Sequence, residues 1–146
     1  MEGVEPGAFG RGARVYVDAN IFIYLVEAAP RFADMVRAVF LALEAAEARV
    51  MTSGLAVAEC LYLPAKCDNA RAVEAYERLF SSGEAEILAL DGGLAKRAAM
   101  LGGKLGLKLF DAIHYISALQ SGCGFFITND LKFKSGPKMR VIHLRA

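Results

Sequence analysis

At 146 residues the chain holds one domain with a real core and is too short for two ordinary ones, and no window offers the roughly 18 unbroken apolar residues that a membrane-spanning helix requires. A hydrophobic share of 55% against 23% charged residues is rich for one monomer's core and points to apolar surface that a second copy or a tight partner would cover. The formal net charge of +1 carries little message, but up to Asp91 there are 8 Lys or Arg against 14 Asp or Glu, and beyond it 9 against 2. The basic C-terminal third suits a polyanionic substrate and equally a solvated face.

The first thirteen residues, MEGVEPGAFGRGA, are acidic and glycine-bearing without an apolar h-region, so a loose tail over residues 1–13 and a cytoplasmic protein are expected. A single domain is expected from residue 14 to 146. It opens with a strand at about Arg14 to Asp18, rich in Val and Tyr, followed by a helix from Ile21 to Glu27. A second helix, Phe32 to Ala48, repeats Phe32, Val36, Val39, Phe40 and Leu43 at the 3.6-residue period. A strand at Arg49 to Ser53 then leads into helices at Ala56 to Lys66 and Ala70 to Phe80. The remaining elements are a strand at Ala85 to Leu90, helices at Gly92 to Gly103 and Asp111 to Gln120, and strands at Gly124 to Asn129 and Arg140 to Leu144. The strands show little alternation, the pattern of strands covered on both faces. Alternating strands and helices predict an α/β fold, a three-layer α/β/α sandwich on a mainly parallel, roughly five-stranded sheet. Cys60, Cys67 and Cys123 form no CxxC pair, so neither a zinc site nor a redox motif is expected, and the thiols read as reduced.

Two strands run directly into an acid. RVYVDANIF ends its apolar run on Asp18, and GFFITNDLKF ends on Asp130. In a doubly wound sheet, sites form beyond the carboxyl ends of strands where the strand order reverses, and both acids belong there. Each also has a local explanation, Asp18 as a helix N-cap and Asp130 as an Asx-type turn. Glu59 is the only charge between Val50 and Ala65, and a carboxylate on so apolar a helix needs a cation or a cleft unless it lies on the one exposed stripe. Asp111, in KLFDAIHYISAL, opens a helix after apolar residues and also has an N-cap reading. Were the four carboxylates to converge, two of them at ~4 Å would repel by ~4 kcal/mol at an effective dielectric near 20, so the cluster would call for a counter-cation. All-oxygen donors select hard ions, Mg²⁺ or Mn²⁺.

At these residues the sequence resembles the PIN-domain ribonucleases, in particular the VapC-type toxins of toxin–antitoxin modules. The resemblance rests on Asp18 with Asn20 after the first strand, Glu59 in AEC, Asp111 in DAIH, and Thr128-Asn129-Asp130 with Phe133 three residues on, and it runs from about Arg14 to the end. One departure is Ala56, three residues before the glutamate, where many members carry a hydroxyl. The resemblance implies a Mg²⁺- or Mn²⁺-dependent endoribonuclease acting on RNA. Asp18, Glu59, Asp111 and then Asp130 would be ligands or orient ligand water, with Asn20 and Thr128 supporting them or touching substrate. It also implies a homodimer and a cognate antitoxin whose tail occupies the acidic groove.

His114 shares a helix face with Asp111 but is given no ligand role, since members of the resembled family do not rely on one there. The glycines at Gly92, Gly102 and Gly106 lack a phosphate-cradling pattern, and Tyr24, Tyr62 and Tyr115 read as core or interface residues. Lys132, Lys134, Lys138 and Arg140 follow the last acid and suit phosphates or a solvated run. Two other readings remain: a catalytically silent PIN-like RNA-binding or scaffold protein, and another acid-rich α/β domain such as a receiver or a haloacid-dehalogenase-type phosphatase. Asp18-Ala19-Asn20 in place of Asp-x-Asp disfavours the phosphatase.

Overall fold

A computed structural model describes residues 7–27 and 30–144. In chain order its elements are β1 (Arg14–Val17), α1 (Ala19–Glu27), α2 (Pro30–Ala45), β2 (Arg49–Ser53), α3 (Gly54–Lys66), α4 (Ala70–Ser81), β3 (Ala85–Leu88), α5 (Gly92–Gly102), α6 (Leu109–Gln120), β4 (Phe125–Thr128) and β5 (Arg140–His143). The five strands pair in the order β3-β2-β1-β4-β5, every pairing parallel. Parallel neighbours need crossovers; helices supply them as far as β4, and the helix-free stretch 129–139 carries the chain from β4 to β5. From β1 the chain winds outward through β2 to β3, then returns to lay β4 on the other side of β1. The strand order therefore reverses between β1 and β4, and the register Val17↔Ile127 sets Asp18 beside Thr128.

The two-residue period of β1 sorts its side chains between two helical layers. Val15 and Val17 face a cluster built from Ile21 and Phe22 of α1, Val36, Val39 and Leu43 of α2, and Tyr76 of α4. Tyr16 faces the opposite cluster, with Leu94 and Ala98 of α5, Ala112 and Ile116 of α6, and Phe126 and Phe133. Each such side chain, when large and fully buried, contributes about 1.5–3 kcal/mol by leaving water. Helix α3 touches both sides: Leu55 joins the α6 cluster, while Ala56 and Cys60 join the other. Ser53, the last residue of β2, caps α3 by accepting from the Ala56 N–H at 3.4 Å, so the helix starts without a connecting loop.

All boundaries but one fall within two residues of expectation, and the departures that matter have local causes. Helix α2 ends at Ala45, not Ala48, with Glu47 taking a left-handed φ of 51° that no helix continues through. Helix α6 begins at Leu109 with Lys108 at its N-cap, so Asp111 lies inside the first turn and is not the cap. Of the expected tail, residues 1–6 lie outside the described residues; from Phe9 the chain is docked, its ring meeting Phe125 edge-on at 5.1 Å between centroids. Among the described residues no helix is long and apolar enough to cross a membrane.

Candidate active site

Asp18 leaves β1 at the point where the sheet order reverses, and it is buried. Its Oδ1 accepts the Ala19 N–H at 2.7 Å, and its Oδ2 accepts the Thr128 hydroxyl at 2.7 Å and the Asn20 amide at 3.1 Å. Asp18 thus precedes α1, but its carboxylate takes the adjacent Ala19 amide and not the N2 or N3 amide that a cap accepts, while the bond from Thr128 of β4 is long-range. Asn20 reaches Thr128 Oγ1 at 3.3 Å, and its Oδ1 accepts the Asn129 N–H at 3.2 Å, tying the ends of β1 and β4 together. Burial pushes the Asp18 carboxyl above its usual range and the neighbouring charge of Glu59 adds to that, while His114, Thr128 and the Ala19 N–H oppose it.

Glu59 reaches the same place from α3. Its Oε1 bonds Nε2 of His114, and that nitrogen also lies 3.7 Å from Asp18 Oδ1. On its far side the ring meets the Tyr16 hydroxyl at 2.7 Å, which in turn lies 2.8 Å from Ser53 Oγ. Burial by itself would lower the imidazole's pKa; the Glu59 bond and the charges of Asp18, Glu59 and Asp111 outweigh it, and the net shift is upward. Tyr16 is held protonated by burial, which raises its pKa far above the ordinary phenol value.

The remaining two acids share a lysine. The Lys132 ammonium lies 3.3 Å from Asp111 Oδ2 and 3.5 Å from Asp130 Oδ2, and the hydrogen bond and charge of Asp111, then the charge of Asp130, raise its pKa. Asp130 also forms the expected Asx-type turn, accepting the Lys132 N–H at 2.9 Å, and its own N–H bonds Thr128 Oγ1 at 3.0 Å.

All four acids singled out from sequence therefore come to one edge of the sheet, joined as two pairs: Asp18 and Glu59 about His114, Asp111 and Asp130 about Lys132. Among the described residues no three such groups close into a ready ligand cage. The donor set nonetheless fits a hard divalent ion, being carboxylate oxygens throughout, and the ammonium bridging Asp111 and Asp130 marks a position where positive charge is already favourable. Asn20 and Thr128 both lie beside Asp18, each bonded to its Oδ2. The residue that sequence reasoning set aside is His114. Its signal was present, since a histidine amid the buried run Ala112–Ala118 must find polar partners, but nothing local names Glu59 as that partner.

A PIN-domain family model matches residues 15–138. No curated protein matches the chain in sequence. Among solved structures, the chain is similar to VapBC2 of Rickettsia felis bound to a DNA fragment from their promoter, with 19% identity, a TM-score of 0.70, and coverage of 89% of this chain and 98% of the other. VapC20 of Mycobacterium tuberculosis, a toxin that cleaves the sarcin-ricin loop, superposes with a TM-score of 0.62 at 19% identity, covering 77% of this chain and 86% of that one. A toxin–antitoxin complex from Klebsiella pneumoniae gives a TM-score of 0.63 at 22% identity over 88% of this chain and 95% of that one.

Proposed function

Because the chain belongs to the PIN-domain family, we propose that it is a divalent-metal-dependent endoribonuclease that hydrolyses RNA phosphodiester bonds and serves as the toxin of a VapC-type toxin–antitoxin pair. The observation that carries this reading is the gathering of Asp18, Glu59, Asp111 and Asp130 at the edge where the strand order reverses. The neighbours support it further: one is a toxin that cleaves the sarcin-ricin loop and another is a toxin–antitoxin complex. Asp18, Glu59 and Asp111, with Asp130 next, would hold Mg²⁺ or Mn²⁺. When bound, such an ion lowers the pKa of a coordinated water and supplies hydroxide near neutral pH.

The chain's own residues prepare that chemistry. Thr128 and Asn20 hold Oδ2 of Asp18 and the Ala19 N–H holds Oδ1, so both oxygens of the carboxylate are oriented. Lys132 is exposed beside Asp111 and Asp130, where its ammonium would be available to a substrate phosphate if a divalent ion took its place between the acids. It also lines, with Leu107, Tyr115, Leu119, Lys134 and Lys138, a cavity of about 340 Å³ that would offer single-stranded RNA a path beside the acids. The exposed Met100, Leu109 and Phe110 suit a second copy, and the acidic edge suits a basic antitoxin tail.

The test is cleavage of a pooled RNA substrate by partner-free protein with Mn²⁺ or Mg²⁺, beside chelator and Asp111→Asn. Cleavage abolished by both places the chemistry on the acids. Activity that survives the substitution refutes that placement, and binding of RNA without any cleavage favours the silent RNA-binding reading.

A further inference from the structure

We propose that His114 is a positioning residue for Glu59, presented by a hydrogen-bond chain from Ser53 through Tyr16, and that it sets the carboxylate's affinity for a divalent ion. The chain runs from Ser53 Oγ to the Tyr16 hydroxyl, on to His114 Nδ1, and from His114 Nε2 to Glu59 Oε1. Its first three members are buried, so water does not compete for their bonds, while the Glu59 side chain is 37% exposed. Among the described residues Oε2 of Glu59 takes no hydrogen bond, which leaves it free to face a cation.

The Tyr16 hydroxyl has one hydrogen, and two arrangements place it. Tyr16 donates to Nδ1 while Ser53 donates to Tyr16, or Tyr16 donates to Ser53 while an Nδ1–H donates to Tyr16. The first leaves Nδ1 bare and so puts the neutral ring's hydrogen on Nε2, directed at Glu59; the second does so only in the imidazolium. Ser53 Oγ already accepts the Ala56 N–H, so its own hydrogen can go to Tyr16, and a Tyr16 hydroxyl that donates to Nδ1 fixes the neutral ring in the tautomer with an N–H at that carboxylate. Without Tyr16's hydroxyl, the ring is free to take the tautomer whose Nε2 lone pair opposes Glu59. The register explains why one strand does both jobs: Tyr16 stands two residues before Asp18 in β1 and faces the α6 layer, so β1 delivers a ligand at its end and the orienter of a second ligand beneath it. A histidine serving only to fill the core has no need of two carboxylates; here Nε2 faces Glu59 and, at 3.7 Å, Asp18. Outer partners of this kind typically change metal affinity or activity 10–100-fold.

The inference rests on the metal-dependent reading of this site, and the experiment separates the two. Mn²⁺ binding to chelator-stripped protein is measured calorimetrically for wild type, Tyr16→Phe, His114→Ala, Glu59→Ala and the His114→Ala/Glu59→Ala pair, with each fold checked by circular dichroism. Tyr16→Phe keeps the ring volume and serves where His114→Ala does not fold, since it interrupts the same chain. The expected result is about a tenfold or greater loss of Mn²⁺ affinity for Tyr16→Phe and for His114→Ala. No further loss is expected when His114→Ala is added to Glu59→Ala, because His114 acts through that carboxylate. Additive losses overturn the inference, since they make His114 act independently of Glu59, as does unchanged affinity in Tyr16→Phe; either outcome leaves the metal reading standing. Wild-type protein that binds no Mn²⁺ overturns both. Rescue of binding by His114→Gln, whose amide also offers an N–H, would support positioning over charge.

Discussion

Thr128→Val removes one hydroxyl from a fully buried position and keeps nearly the same shape. The hydroxyl donates to Asp18 Oδ2 at 2.7 Å and accepts the Asp130 N–H at 3.0 Å and the Asn20 amide at 3.3 Å. A bond to a charged group contributes about 1.5–3 kcal/mol, and an orphaned donor costs about 1–3 kcal/mol when water cannot reach it. The Asp130 and Asn20 donors are only partly buried, so water takes up some of their bonding, and the expected loss is about 2–4 kcal/mol. For a chain of this size that corresponds to a fall in Tm of roughly 5–15 °C. The sign with pH follows from Asp18. Thr128 favours the ionised carboxylate against burial, so the deficit is largest where Asp18 is charged and shrinks as acid protonates it. Urea denaturation in chelator at about pH 8 and about pH 5 reads both effects as a lowered midpoint at unchanged slope. A loss under about 0.5 kcal/mol, or one equal at both pH values, would refute the role given to this bond.

The metal-free protein is expected to lose stability as pH rises through the folded pKa of His114. That value is raised, so its contribution is full below the ordinary imidazole range and fades above it, and Asp18, raised by burial, acts in the same direction; denaturation midpoints that climb with pH in chelator would contradict this. Burial pushes the Cys60 thiol up to about 12 and the Cys123 thiol up to about 11, while Cys67 is exposed. One fast thiol is therefore expected with Ellman's reagent at about pH 8 in native protein and three in urea, and a second fast native thiol would refute the packing around the buried pair. At Gly102 an added Cβ would stand 2.9 Å from that of Ala112, so Gly102→Val must displace α6, costing about 1–3 kcal/mol by denaturant titration. If Lys134 and Lys138 contact phosphates, replacing both by Ala lowers the salt slope of single-stranded RNA binding by about 1.4, at ~0.7 per contact, and an unchanged slope removes them from the RNA path.

The element order, the strand-end positions of Asp18 and Asp130, and the oddity of Glu59 in an apolar helix were legible because each rests on patterns a few residues long. Local chemistry also misled where two local signals competed. Asp111 looked like a helix start because Asp favours N-caps, yet α6 begins earlier, at Leu109, and leaves that residue and Phe110 exposed ahead of the packed run Ala112–Ala118. His114 was within reach as a buried polar residue but not as a partner of Glu59, which lies 55 positions away in sequence. Sequence determined which residues carry charge and which segments form strands or helices, because dihedral preference and apolar periodicity are local. Only the tertiary structure decided that Asp18 and Glu59 meet at an imidazole while Asp111 and Asp130 meet at an ammonium. Those pairings follow from β4 returning beside β1 and from α3 and α6 meeting across the sheet's carboxyl edge, contacts fixed by burying both faces of the sheet at once.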